Sequence, residues 1–371
     1  MLLSLLWAGL SEYFYYRFHH GIHDTFVRNL CARTIKINVV FTKAFQALIV
    51  KYAPNSVHLT HNISPDPAPK PPIIENVELH EVIGSGVVSV VYAATWNDKN
   101  VVVKVKRTGI QAEIQTGLFQ LQRLYSWFHM VPFLKKFDLP LVHREVESLL
   151  LEQTDFATEV VNQEKYRDLF SYNPAIVVPE VYLQTEEYIV MERLYPVPRD
   201  PALNEHYAQQ LCNLIIKGAV LDGFVHADLH SGNVLLLPEK KLGIIDFGLM
   251  VNLTIDEQNN YLALCVAINA TDYAEAARIS LERYCHPRAS KTDPVKALCV
   301  LTEVYRQSDE ESQQLGVAEI NAMVNGIYPC GYTMAPSFYK IIMSMAACDA
   351  LLHSFSSTAH LVLKEEIRKL L

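Results

Sequence analysis

Three residues near the middle of the chain have the types and spacing needed to move a phosphoryl group. Asp228 stands within His226-Ala-Asp-Leu-His-Ser-Gly-Asn233, and Asp246 within Ile244-Ile-Asp-Phe-Gly248. A carboxylate at 228 can orient or deprotonate a nucleophile. Asn233, five residues on, and Asp246 are hard oxygen ligands of the kind that Mg²⁺ takes beside phosphate. One Asp–Asn spacing is weak information. The two segments together, with their ligands 13 residues apart, are much more specific.

These side chains need a frame to bring them together. Asn233-Val-Leu-Leu-Leu237 and Lys241-Leu-Gly-Ile-Ile245 read as short strands around a Pro238-Glu-Lys turn, a hairpin that would set both metal ligands side by side. Further upstream the chain alternates. Val77, Leu79 and Ile83 mark a first strand, Val88–Thr95 a second, Asn97–Asn100 a turn and Val101–Val105 a third. Ile83-Gly84-Ser85-Gly86 lies between the first two. Gly84, Ser85 and Gly86 would let a backbone approach phosphates, although a lone G-x-G reads equally well as a tight hairpin. Lys104 on the next strand adds weight, because a Lys among buried Val residues needs an anion. Helical character follows over 111–130 and from about Val142 to Leu169. There Asp155, Glu159 and Asn162 share one face, and Glu159 is the expected partner of Lys104. Val177–Leu183 and Tyr188–Glu192 resemble two more strands, the second suited to holding a nucleobase through backbone groups near Glu192. Beyond Pro201 the pattern is almost wholly helical.

Strands first and helices afterwards predict an α+β fold with two lobes: a helical N-terminal extension over 1–73, a β-rich lobe over 74–193 and a helical lobe over 194–371. The net charge of −8, with no basic stripe, argues against a nucleic-acid partner. The seven cysteines are scattered and lack a C-x-x-C pair, as expected for free thiols in a reducing compartment. The N-terminal run Met1–Leu10 is about half of a membrane span; with Tyr13–Phe18 it reads as an interfacial helix that either packs on the main domain or docks on a membrane. His19, His20 and His23 read as surface histidines, and the N-x-S/T sites at Asn62, Asn252 and Asn269 as chance. Ser64–Pro72 is a Pro-rich linker.

Taken together, these residues resemble the ABC1/UbiB family of atypical kinases, the aarF-domain-containing kinases, from about residue 38 to 285. The most specific signs are H-x-D-L-H-x-G-N at His226–Asn233 and Asp155-Phe-x-x-Glu159-x-x-Asn162. The resemblance implies a protein-kinase-like fold, binding of ATP with Mg²⁺, ATPase or unorthodox kinase activity, lipid or quinone intermediates as partners, and a mitochondrial or membrane-associated location. It also implies regulatory elements. The family's K-x-G-Q corresponds to Lys43-Ala-Phe-Gln46, with Phe45 replacing Gly, and its E-x-D to Gln153-Thr-Asp155, with the first acid lost. Those elements meet over the active site in the family and block peptide substrates, so the clamp is weakened here. The family's Ala-rich loop is Gly84-Ser85-Gly86 in this chain.

The segment after Gly248 separates the classes of phosphoryl-transfer enzyme. Thr254-Ile-Asp-Glu257 is a capping box, so a helix starts almost at once, with only five residues between Gly248 and Thr254. A conventional protein kinase needs an activation segment there, ending in Ala-Pro-Glu, and an Arg where Ala227 stands. Two alternatives to an atypical kinase remain open: a small-molecule phosphotransferase of the aminoglycoside/choline type, and a nucleotide-binding pseudokinase scaffold. Ile341–Ala347 and Leu351–Leu371 are too short or too polar to form a membrane pair.

Overall fold

Asn97 and Asp98 show how directly local chemistry sets the first sheet. Both have left-handed φ (49° and 61°), the backbone of the tight two-residue turn that matches the twist of paired strands. They join β2 (Ser89–Trp96) to β3 (Lys99–Lys106), after β1 (Val77–Ser85). In this computed structural model the described residues are 38–41, 43–44, 73–128, 139–288, 290–310, 317–335, 351–356 and the single positions 338, 348, 365, 367 and 368. The N-terminal interfacial helix, Gln46, the Pro-rich linker and most of the C-terminal tail lie outside them.

Two compact units divide the chain: one holds the residues up to Thr158 together with Val181–Arg193, the other Glu159–Glu180 and everything from Leu194. In the first unit, β1, β2 and β3 are followed by helices α1 (Ile110–Phe128) and α2 (Leu139–Thr154). The single helix expected from Val142 to Leu169 is broken at Asp155, and α3 (Phe156–Leu169) starts afresh. Asp155 causes the break, because its carboxylate accepts from the Thr158 N–H (3.0 Å) and hydroxyl (2.7 Å) and so caps the new helix. Asp155 therefore precedes the helix whose face it was expected to share with Glu159 and Asn162.

The expected strand over Val177–Leu183 is two strands, β4 (Ile176–Val177) and β5 (Val181–Gln184), followed by β6 (Tyr188–Glu192). The sheet order is β1-β2-β3-β6-β5, antiparallel throughout. Alternation sends Val101, Val103 and Val105 into a core with Val90, Tyr92, Ala94 and Val190. A separate cluster joins Val39, Val40, Phe41 and Ala44 to Ile110, Ile114, Val146 and Leu150. The helical residues 39–41, 43 and 44 are anchored there. Asn38 Nδ2 donates to the Glu113 carbonyl (2.9 Å), and the Glu113 carboxylate accepts from Val39 N–H (3.2 Å). Gly117 makes room, since a Cβ there would collide with the Asn38 side chain and Val40.

The second unit begins within α3. It continues through α4 (Asn204–Lys217), which ends in a π-helical turn, Gly218–Asp222. Gly223 then reverses the chain with φ 61°, and a Cβ there would come within 2.9 Å of the Leu253 carbonyl, so glycine is required. The chain enters β7 (Phe224–His226), then the hairpin β8 (Val234–Leu237) and β9 (Lys241–Ile244), then β10 (Met250–Asn252). β10 pairs back with β7, and β9 pairs with both β8 and β4. Helices α5 (Ile255–Asn269), α6 (Tyr273–Tyr284), α7 (Pro294–Glu310) and α8 (Val317–Ile327) follow, with a short pair, β11 (Cys285–Pro287) and β12 (Tyr332–Met334). The core under the hairpin contains Tyr166, Leu211, Phe224, Leu229, Leu242 and Phe247. Each such leucine or phenylalanine contributes about 1.5–3 kcal/mol on burial. Among the described residues no helix is long and apolar enough to cross a membrane.

Candidate functional site

The hairpin does what its sequence suggests. Val234 pairs with Ile244, and Ile245 N–H donates to the Asn233 carbonyl (3.2 Å), so the residues flanking Asn233 and Asp246 are hydrogen-bonded neighbours. The loop before it is folded on itself. The Asp228 carbonyl accepts from His230 N–H (3.1 Å) and from the Asn233 amide nitrogen (2.9 Å), while Asn233 N–H donates to the His230 carbonyl (2.9 Å). With its NH₂ committed to Asp228, the Asn233 side chain presents its oxygen. Asp246 Oδ1 accepts from Gly248 N–H (3.0 Å), which fixes its carboxylate plane.

His226 ties these pieces together. Its Nδ1 accepts from Asp228 N–H (3.1 Å) and its Nε2 bonds the Asp246 carbonyl, which assigns the proton to Nε2 and makes the ring neutral. The ring is almost fully buried against Tyr166 and Phe247. Burial holds its pKa below the ordinary 6.5, and the nearby Asp228 and Asp246 only partly restore it. His230 is fixed similarly: Gly232 N–H donates to Nδ1 (2.9 Å), leaving the proton on Nε2, 3.7 Å from Asp228 Oδ2. Asn162 on α3 donates to the Phe247 carbonyl (3.1 Å), and Tyr166 one turn on packs against the Phe247 ring. Neither the His226 crosslink nor the Asn162 bond was read from the sequence; only the positions of both residues inside the motifs hinted at them.

Glu159 is buried to 1% exposure in this unit. A carboxylate so enclosed must be matched by positive charge or donors. The chain after Gly248 is short, as expected. Met250–Asn252 pairs at once with β7, and Thr254 caps α5: its hydroxyl accepts from Glu257 N–H (3.2 Å) and its N–H donates to the Glu257 carboxylate (2.8 Å). That leaves no length for a peptide-presenting segment.

In the first unit, Gly84 and Ser85 pair with Val91 and Val90, and Gly86 N–H donates to the Ser89 carbonyl (2.9 Å). The segment is thus the tight hairpin turn that the G-x-G equally suggested. Neither glycine has a left-handed φ, and a Cβ would find only ordinary contacts, 3.4 Å to Val91 and 3.5 Å to the Ser89 carbonyl. The chain itself does not require glycine there. Lys104, 8% exposed, lies opposite Val91 and Ile189, with its ammonium 5.8 Å from the Phe156 ring centre. Glu192 closes β6, paired with Val101. Gln153 is half-buried at the end of α2, and Asp155 is the exposed helix cap. Lys43 is half-buried in the N-terminal helical segment, and Gln46 lies outside the described residues.

The donor chemistry fits a magnesium ion. Among the described residues no cluster of three His, Cys, Asp or Glu would suit a metal held by protein alone. Mg²⁺ takes one or two protein oxygens and fills its remaining positions with phosphate and water, which an Asn–Asp pair allows.

Residues 79–280 match the family model described as "ABC1 atypical kinase-like domain", over more than half of the 371 residues. The chain belongs to the ABC1 atypical kinase-like family. The family is one of nucleotide-binding, kinase-like domains. Among solved structures, the complex of Rv3197 with erythromycin from Mycobacterium tuberculosis is similar, with 18% identity, coverage of 75% of this chain and 73% of that one, and a TM-score of 0.54. At that identity the likeness shows the fold: α+β and protein-kinase-like, a β-sheet followed by a helical region, as the order of strands and helices in the sequence predicts. The ABC1 match covers the Gly84–Gly86 turn, Lys104, Glu159 and the whole 226–248 segment.

Proposed function

We propose that this chain is a Mg²⁺-dependent ATPase or atypical kinase, transferring the terminal phosphoryl group of ATP to a lipid, a quinone-pathway component, a protein or water. The observation that carries the reading is the hairpin pair: Asn233, its amide oxygen presented by the bond to Asp228, beside a carboxylate at 246 held by Gly248. On this reading Asn233 and Asp246 hold the metal, which when bound draws charge from the phosphate oxygens. Asp228 aligns the attacking hydroxyl or water and accepts its proton. Lys104 neutralises the α- and β-phosphates, Glu159 balances Lys104, the Gly84–Gly86 turn approaches the phosphates through its backbone, and the chain near Glu192 holds the base. The extension over 1–73 and the lobes over 74–193 and 194–371 are the proposed division of labour. Lys43, Gln46, Gln153 and Asp155 form the proposed regulatory element, and mitochondrial or membrane association follows the family.

A second reading, a nucleotide-binding scaffold without turnover, is favoured by Phe45 and Gln153, which depart from the family's regulatory elements. The retained Lys104, Asp228, Asn233 and Asp246 weigh against it. A thermal-shift series with ATP and ADP, with and without Mg²⁺, tests the pocket, since binding energy appears as added stability. Wild type should gain several degrees with Mg-ATP, and Lys104→Ala should lose most of that gain. An equal shift in both proteins would remove Lys104 from the site.

A further inference from the structure

Lys106 lies two residues beyond Lys104 on β3. Strand alternation places both on one face, opposite the face that sends Val101, Val103 and Val105 into the core. The two are about 7 Å apart along the strand. Lys106 is 9% exposed, and its ammonium sits 4.9 Å from the centre of the same Phe156 ring that Lys104 approaches. Among the described residues nothing hydrogen-bonds or ion-pairs with that ammonium. Asp155, an acid in its field, spends both oxygens on Thr158. A ring face attracts a cation much less than water or a carboxylate does, so an enclosed lysine beside a second lysine is a poor arrangement until an anion arrives.

The glycine turn is fastened beside it. Lys106 is paired with Ser89, the residue that closes the Gly86–Ser89 turn. Next in sequence, Arg107 donates through Nε to the Gly86 carbonyl (3.0 Å), through Nη2 to the Ser85 hydroxyl (2.8 Å) and through its N–H to the Val88 carbonyl (2.9 Å). The turn and the lysine are therefore held at one place by the first unit alone.

We propose that Lys106 is a second anion-binding residue, taking phosphate oxygens next to those held by Lys104, while Arg107 positions the glycine turn over them. The inference rests on the nucleotide reading and deepens it: the phosphate belongs either to the nucleotide or to a phosphorylated acceptor. The test is titration and thermal melting of the full chain with ATP, adenosine and inorganic tripolyphosphate, in wild type, Lys106→Gln, Lys106→Arg and Lys104→Ala. Lys106→Gln should lose tenfold or more in affinity for tripolyphosphate and ATP, leave adenosine unchanged and be largely rescued by Lys106→Arg. Without ligand it should melt at or above the wild-type temperature, because an enclosed charge has been removed. Weakened tripolyphosphate with unchanged ATP supports the anion site and assigns the phosphate to the acceptor. Unchanged affinity for both anions overturns the proposal, as does a lower unliganded melting temperature with loss of adenosine too, the mark of a packing role. Loss of ATP in Lys104→Ala alone overturns this inference and leaves the nucleotide reading standing. Wild type that binds neither anion overturns both.

Discussion

The 226–248 loop of the second unit and the basic face of β3 in the first solve opposite problems. The loop is cross-linked internally: His226 joins Asp228 to Asp246, Asn233 is turned by the Asp228 carbonyl, and Gly248 fixes the Asp246 carboxylate. On β3 Lys106 is enclosed beside the Phe156 ring, and Asp155, an acid in its field, is occupied with capping a helix. The loop stores geometry and needs no ligand to hold its shape. On the proposed reading the strand carries at Lys106 a charge that an anion would stabilise. On that reading electrostatic preorganisation and ligand-dependent stability belong to different parts of one fold.

The comparison can be broken from the loop side. Asp228→Asn keeps the backbone carbonyl that orients Asn233 and removes only the acid. Turnover should fall on the order of 10²–10³-fold while nucleotide affinity stays within about threefold. A parallel loss of affinity would mean that the loop needs the Asp228 charge for its shape. The next largest effect should come from His226→Ala, which strips bonds from two half-buried partners and leaves a cavity where a buried ring was, at about 2–4 kcal/mol of stability. The same ring gives a pH signature. Its folded pKa lies below 6.5, so the unfolded chain takes up the proton first; stability is full above about pH 6.5 and declines as the pH falls through it. Urea titrations at pH 7.5 and 5.5 should show that decline, and it should shrink in His226→Phe. A pH dependence identical in both proteins would place its origin elsewhere.

A smaller effect should separate the N-terminal helical segment from both regions. Gly117→Val drives its side chain into Asn38 and Val40, at about 1–3 kcal/mol. Protease cleavage near residue 38 should accelerate, while the melting of the second unit holds. Unchanged cleavage would show that the Asn38–Glu113 bonds are not what retains the segment.

The sequence revealed most where chemistry is local. The catalytic hairpin, the Asn97-Asp98 turn and the Thr254 cap depend on residues a few positions apart, so their patterns are visible in the text of the chain. The break at Asp155 was hidden, because apolar spacing runs on through Phe156 and gives no hint that the Asp155 carboxylate will satisfy Thr158. The roles of Asn162 and His226 were hidden for another reason: each bonds a carbonyl 20 or more residues away, a pairing that only the folded chain defines. Lys106 was within reach, since alternation along β3 already places it on the face of Lys104. Reading the strand as a run of Val around one Lys obscured it.

The central claim is that Asn233 and Asp246 make this ABC1-family chain a magnesium-dependent phosphoryl-transfer enzyme. Single-turnover release of the terminal phosphate from ATP, with protein in excess and Mg²⁺ present, compares wild type with Asp246→Asn most directly. The account predicts release by wild type that stops without Mg²⁺ and is abolished in the variant. Undiminished release by Asp246→Asn, or tight ATP binding by wild type with no release at all, would contradict it.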